Sequence, residues 1–361
     1  MRGDSYDLAV VGAGIIGLSL AAIAHARGLR VVVVERGTAI TGSSIRNFGH
    51  IGTSVHAGEV AVYAERTHAL WLRFAEQAGF WLGRTGTLVV ARHDDEMAMI
   101  EESGAAGILT ANQVSDRAPV VGAVGGVFRE RDLQVDPREA TTAIAAWLAA
   151  SGVTFRWRTS ALGAADGVLH TSRGEINASA TVFATGFDID QLFPAIAEEY
   201  GVERCGLDML LMEGVGLRVP TLTGSSMLRY SAFSSTPSAA AVRARFERDE
   251  PGILSFDINQ MYTERPDGTL LVGDTHATSS SISPFQDEDA FRLLERLAIN
   301  MFGRPLAVRQ RWQGVYAKAP HEFLRASPAG DVRVVAVTTG IGMTTGPGLA
   351  ASVIDDLFGE Q

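Results

Sequence analysis

The feature that most constrains this chain is a glycine pattern set between two apolar runs near its start. Leu8-Ala9-Val10-Val11 reads as a buried strand and Gly12-Ala13-Gly14-Ile15-Ile16-Gly17 follows at once; an apolar helix then runs to Gly28, and Val31 to Val34 forms a second strand closed by Glu35. Each part has a physical task. Gly12 permits the sharp turn, Gly14 lets a pyrophosphate approach the backbone, and Gly17 lets helix pack on strand. The helix N-terminus, with Ile15 and Ile16 in its first turn, attracts the phosphates. Glu35, with Arg36 beside it, is placed to accept hydrogen bonds from ribose hydroxyls. Strand, glycine turn, helix, strand and acid in that order predict a dinucleotide-binding α/β unit.

The stretch from Leu8 to Ala26 is apolar enough to imitate a membrane span. Its three glycines and the preceding Asp7 favour a buried strand and helix instead, so no membrane span is expected. With 361 residues, 46% of them hydrophobic and 20% charged, the chain can bury a sizeable core, and its length suggests two domains. A net charge of -10 argues against nucleic acid as a partner. The single cysteine, Cys205, allows no intrachain disulfide and is compatible with a cytoplasmic location. No cysteine and histidine cluster points to a metal.

Three more glycine-rich segments, far apart in sequence, read as parts of the same site and select the dinucleotide. In the first, Thr41 to Ile51, the hydroxyls of Ser43 and Ser44 join Arg46, Asn47, Gly49 and His50, a set suited to crossing a pyrophosphate and reaching a flavin ring. The second is an apolar strand opening into Ala184-Thr185-Gly186. In the third, Val334 to Val337 leads into Thr338-Thr339-Gly340-Ile341-Gly342-Met343-Thr344-Thr345-Gly346-Pro347-Gly348. Gly346 and Pro347 suit a helix start whose positive end would meet the flavin pyrimidine carbonyl.

These four segments together resemble the FAD-dependent D-amino-acid-oxidase or glycine/sarcosine-oxidase superfamily, over essentially the whole chain. The resemblance implies a glutathione-reductase-like FAD-binding Rossmann domain, discontinuous over 1–83, 135–205 and 308–361. An inserted mixed-sheet α+β substrate domain would occupy 84–134 and 206–307. The implied chemistry is oxidation of a small primary or secondary amine, by hydride transfer from the carbon bearing nitrogen to flavin N5. Imine hydrolysis and reoxidation by O2 or another acceptor follow. Non-covalent FAD is expected, because relatives that use a histidine linkage place it where Arg46 stands. Asn47-Phe48-Gly49-His50 and Arg204 to Leu210 depart from glycine oxidase and monomeric sarcosine oxidase, and with them go Gly273-Asp274-Thr275-His276 and Arg311 to Ala317. They resemble a bacterial flavoprotein subgroup associated with aminophosphonate breakdown, which implies a substrate such as N-methyl-2-aminoethylphosphonate. Glycine, sarcosine, another amino acid or a 2-hydroxy acid are the alternatives.

On the substrate side, Leu270 to Thr275 reads as a strand that delivers His276 to the site. Arg309 to Tyr316 is similar to the family's RxxWxGxY strand, with Tyr316 or Trp312 facing the flavin; Trp312 reads equally well as core. Arg229 with Tyr230 offers the pairing that a carboxylate or phosphonate needs, and His50 lies in the loop expected near the flavin. Lys318 is the only lysine, so Arg229 and His276, or Arg46 in their place, are expected to hold the substrate anion.

Elsewhere, Val60, Tyr63, Ala64, Thr67, Leu70, Trp71, Phe74 and Ala78 repeat at helical spacing, and Thr85 to Ala91 reads as a strand. Asp136 is expected to cap a helix, with Pro137 at its first position and Glu139 closing a capping box. Val153, Phe155 and Trp157 alternate as a strand. Ser235 to Glu250, small and then charged, reads as a surface excursion that orders on substrate binding.

Overall fold

A computed structural model describes residues 5–54, 56 and 58–360 of the chain. The first strand, Ser5–Val11, is flanked by parallel partners on both sides, Val31–Val34 and Gly174–Phe183. Thr154–Arg156 and Val332–Thr339 extend the parallel set at either edge. Apolar runs without alternation, such as Leu8 to Val11, are what a doubly covered parallel sheet requires, and the Val31–Val34 side chains are accordingly all buried. One face carries the helices Ile15–Ala26, Gly58–Ala78, Pro137–Ala150 and Gly342–Phe358 over a common apolar core. The other face is covered by the Ala161–Ala165 and Val168–Thr171 hairpin and by short helices around Ile189 and Ala197.

The sheet does not stop there. Val332–Thr339 pairs antiparallel with the long strand Val308–Ala329, which pairs with Glu203–Glu213 and, beyond it, Thr269–Gly273 and Met261–Glu264. Thr221–Leu222, Thr87–Ala91, Gly125–Arg129 and Ile108–Thr110, with Ala277–Ser279 paired to Glu203–Glu213, complete a mixed region with its own core. Sixteen strands of the described residues thus share one sheet. The strand Val308–Ala329 carries backbone pairing from the mixed region into the parallel one.

Local expectations fail at three places for identifiable reasons. The helix expected to begin at Gly346-Pro347 begins at Gly342, with Pro347 inside it. Proline has no N–H to offer the Met343 carbonyl, one turn earlier. The buried Trp71 indole donates to that carbonyl at 2.8 Å instead, and Thr67 accepts from Gly348 N at 2.9 Å. The neighbouring helix therefore replaces hydrogen bonding that proline interrupts. Asp136 does cap its helix, accepting from Arg138 N at 3.0 Å, but its second oxygen goes to Arg265 rather than to a capping box with Glu139. Finally, the segment expected as an excursion holds the helix Ala239–Asp249. Val242 and Phe246 are buried, one turn apart, and Arg245 pairs with Asp95 at 2.8 Å and Glu96 at 2.5 Å. Two apolar anchors are too few to register as periodicity.

Candidate active site

A cavity of about 810 Å³ runs from the Gly12 turn to the ends of Thr269–Gly273 and Val308–Ala329, and its walls come from both parts of the sheet. Gly12 holds φ +102°, and a Cβ there would lie 2.6 Å from the Ala184 carbonyl, so the turn and the Ala184-Thr185-Gly186 strand end meet only because Gly12 has no side chain. Glu35 fastens this turn from the next strand: its Oε2 accepts from Ala13 N at 3.0 Å and its Oε1 from Gly37 N at 2.8 Å.

The loop Thr41 to Ile51 is tied down at both ends. Ser44 Oγ accepts from Ile15 N at 2.9 Å, and Ser43 Oγ donates to the Val315 carbonyl at 2.5 Å. Asn47 donates to the Ser43 carbonyl and accepts from Gly49 N, closing the loop on itself. Arg46 donates to the Gln313 carbonyl at 3.0 Å, and Arg36 pairs with Asp188 at 2.5 Å.

Ile15, Ile16, Gly14, Glu35, Arg36, Ser43, Ser44, Arg46, Asn47, His50, Ala184, Thr185, Gly186, Gly340, Gly342, Met343 and Thr344 all line the cavity. Four expected residues do not. Gly17 lies beneath the turn, where a Cβ would strike the Gly12 carbonyl, and Gly49 packs on the Val135 backbone. Thr345 is fully buried and donates to the Ile341 carbonyl. Trp312 sits in a separate cleft, with the Arg138 guanidinium 5.0 Å over its ring.

The cavity fits a dinucleotide at one part and a small polar molecule at another. Two helices, Ile15–Ala26 and Gly342–Phe358, bring to its wall N-termini whose N-cap residues, Gly14 and Ile341, supply no side-chain cap, and the positive ends of both favour negative charge there. The hydroxyls of Thr185 and Thr339 are buried there without a partner.

The second part is built by Arg229, Tyr230, Asn259, Asp274, His276, Tyr316 and Lys318. Arg229 pairs with Asp257 at 2.5 Å. His276 Nδ1 lies 2.9 Å from the Asp257 carbonyl, which can only accept, so Nδ1 carries the proton and Nε2 is left as an acceptor. Burial, reinforced by Arg229, lowers this imidazole to about 3. It is neutral near pH 7, with no proton on the cavity side for an anion, so the expected role of His276 in an anion clamp does not suit its geometry. His50, lowered to about 4 by burial against the opposing pull of Asp132, bonds Thr87 Oγ1 at 2.7 Å and is neutral as well. Burial pushes Tyr230 up to about 12 and Tyr316 higher still. Asp274 is pushed up to about 7 by burial, against the opposing pull of Arg229.

Asp274, Asn259 and Asp257 complete the constellation without having been singled out as site residues, and Lys318 joins it, the one residue that could be the oxygen-activating lysine of sarcosine oxidases which the resemblance leaves open. Asp274 stood beside His276 in the same motif, and Lys318 was conspicuous as the only lysine. Asn259 and Asp257 carried no sequence signal, since a loop brings them in.

The glycine turn, the second uncapped helix and the adjoining polar pocket define a flavin-dependent oxidoreductase. The chain belongs to the FAD dependent oxidoreductase family, whose sequence profile matches residues 7–355. FAD is its cofactor. Glycine oxidase from Bacillus cereus is similar in structure, with a TM-score of 0.79 at 18% identity over 99% of this chain and 96% of that one. The FAD-bound L-alpha-glycerophosphate oxidase from Mycoplasma pneumoniae has a TM-score of 0.76 at 17% identity, over 99% and 96%. Iminodiacetate oxidase from Chelativorans sp. BNC1 has a TM-score of 0.75 at 15% identity, over 98% and 96%. They share the fold, a glutathione-reductase-like FAD domain joined to a mixed-sheet region. No curated sequence matches the chain. Among the described residues no helix is long and apolar enough to cross a membrane, and no cluster of side chains could hold a metal ion.

Proposed function

We propose that this enzyme oxidises a small amine at the carbon bearing nitrogen, and that the amine carries an anionic group, phosphonate or carboxylate, at its other end. One observation carries the reading: a single pocket combines two cationic side chains, Arg229 and Lys318, with the acceptors Asp274 and neutral His276. A zwitterion satisfies both sets. A 2-hydroxy acid would leave the buried Asp274 without a cation, and an uncharged amine would give the cationic side of the pocket, Lys318 beside the Asp257-paired Arg229, no anion to hold.

In this reading 1–83, 135–205 and 308–361 hold FAD, and 84–134 with 206–307 supply most of the substrate pocket. The N-terminus of Ile15–Ala26 and the Ser43, Ser44 loop take the pyrophosphate, Glu35 the ribose. The N-terminus of Gly342–Phe358 favours negative charge on the ring system. FAD bound there supplies the acceptor for the hydride that leaves the substrate carbon. Arg229, held by Asp257, and Lys318 fix the anion, with Arg46 as a further cation at the cavity wall. Lys318 takes the place in the clamp that the sequence alone assigned to His276. Tyr230 and Tyr316, neutral across the physiological range, line the pocket and limit water. N-methyl-2-aminoethylphosphonate meets these requirements, and a cytoplasmic enzyme is in keeping with the single buried Cys205.

The test is anaerobic bleaching of the bound flavin by N-methyl-2-aminoethylphosphonate, sarcosine, glycine, N-methylpropylamine and lactate, in wild type and Arg229→Ala. The anionic amines should be preferred. Arg229→Ala should lower kcat/KM for them about ten- to a hundred-fold, with little change for N-methylpropylamine. Lactate or the uncharged amine as best substrate would refute the reading.

A further inference from the structure

Asp274 follows the strand Thr269–Gly273 into the pocket and is only 5% exposed, yet its Oδ1 has no hydrogen-bond partner. The nearest ring nitrogen, His276 Nε2, is 3.9 Å from Oδ2 and carries no proton to give. A buried carboxylate oxygen without a donor is costly, and such a group is retained where a ligand supplies the missing proton or charge. Asn259, whose Oδ1 is likewise buried and unpartnered, stands beside it, its backbone N–H donating to the Asp274 carbonyl at 2.8 Å.

We infer that Asp274 Oδ1 receives the substrate ammonium and takes one proton from it, so that oxidation proceeds from the free amine. This rests on the amine reading above and goes beyond it by assigning the proton. One N–H bond of the ammonium breaks and one O–H bond forms on Asp274. The bonding pair stays on nitrogen as the amine lone pair, no electron passes to the protein, and the proton is released to water between turnovers. Oxidation at carbon requires that lone pair.

The groups around Asp274 leave it as the one that changes charge near neutrality. The charges of Arg229, Tyr230, Asp257, Tyr316 and Cys205 and that of Asp274 act on one another, His276 Nε2 lies 3.9 Å from its Oδ2, the Asn259 side chain favours its charged form, and Lys318 lines the same pocket. Burial and Arg229 lower His276 to about 3, and burial raises Tyr230 to about 12. Burial opposes the charge of both Asp257 and Arg229, but their pairing outweighs it, lowering the carboxyl and raising the guanidinium. Tyr316 and Cys205 are raised by burial. Asp274 itself sits at about 7.

The experiment follows kcat/KM against pH for the best amine, in holoenzyme of wild type and Asp274→Asn. In wild type kcat/KM should rise ten-fold per unit up to about pH 7 and then level, because ionised Asp274 accepts from the abundant ammonium. Asp274→Asn must wait for amine already free, roughly one per cent at pH 8 for an aliphatic amine of pKa about 10. It should therefore be about a hundred-fold slower at pH 8, climb without a plateau and recover toward pH 10. A second measurement needs no turnover: the Kd values of trimethylammonioacetate, which has no proton to lose, and of its isostere tert-butylacetate, which keeps the carboxylate but has carbon in place of the cationic nitrogen. Their ratio should favour the cation in wild type at pH 8 and fall at least about ten-fold in Asp274→Asn. Unchanged FAD content and Tm in the variant exclude misfolding as the cause. An unchanged pH profile and ratio with an amine that wild type oxidises would overturn this proposal alone. If no amine reduces wild type, the proposed function falls and this proposal with it.

Discussion

Replacing Glu35 with alanine should damage the cofactor site in two separable ways. In the structure its two oxygens already bind Ala13 N and Gly37 N, at 3.0 and 2.8 Å, so the carboxylate holds the glycine turn in addition to the ribose contact proposed for it. Loss of the ribose contact is worth about 1.5–3 kcal/mol, because the acceptor is charged, and the FAD dissociation constant should rise roughly ten- to a hundred-fold. Loss of the two backbone contacts lowers the stability of the apoprotein too. Both sites are part-buried, so about 2–3 kcal/mol is expected for the pair. Unfolding entropy of about 2.1 cal/mol/K per residue gives ~0.8 kcal/mol/K for a chain of this length, and the apoprotein Tm should fall by about 3–4 °C. Glu35→Gln keeps one acceptor oxygen but turns an amide NH2 toward the other N–H, so it should fall between wild type and alanine on both scales. FAD titration followed by fluorescence measures the first effect and thermal unfolding of the apoprotein the second. Flavin reduction by substrate in fully loaded enzyme should be unchanged. If Glu35→Ala binds FAD as tightly as wild type, the assignment of Glu35 is wrong.

Two further outcomes follow from the same geometry. Trp71→Phe removes the donor to the Met343 carbonyl and leaves that group buried and unpaired beside Pro347, at a cost of about 1–3 kcal/mol plus the void left by the smaller ring. Tm should drop by several degrees and FAD affinity should weaken, because Met343 lies at the cavity wall; a variant with wild-type Tm and FAD affinity would remove Trp71 from this role. Acid precipitation should release all the flavin as FAD, leaving a colourless pellet, since Arg46 stands where histidine-linked relatives attach the ring; flavin retained on the denatured chain would contradict this.

What the sequence determined by itself is mostly what depends on short-range geometry. A glycine turn between an apolar strand and an apolar helix, with an acid at the end of the next strand, requires one backbone path. Leu8 to Glu35 folds along it. The three distant glycine-rich segments were legible for the same reason, since close backbone approach and uncapped helix starts constrain the residue types directly. The substrate pocket obeys different physics. Whether His276 is a cation or an acceptor is decided by the Asp257 carbonyl, nineteen residues away in sequence, and by burial that no local pattern encodes. Arg229 is held by the same residue, so one loop fixes the hydrogen-bonding roles of two site side chains. Trp312 and Tyr316 are four residues apart on one long strand, and only the sheet's course puts Tyr316 in the cavity and Trp312 beneath Arg138. Pro347 marked a helix start until Trp71, from another helix, supplied the hydrogen bond that lets proline sit inside one. Backbone geometry is written in neighbouring residues, whereas the charge and hydrogen-bonding state of a buried side chain is set by whatever tertiary packing places against it.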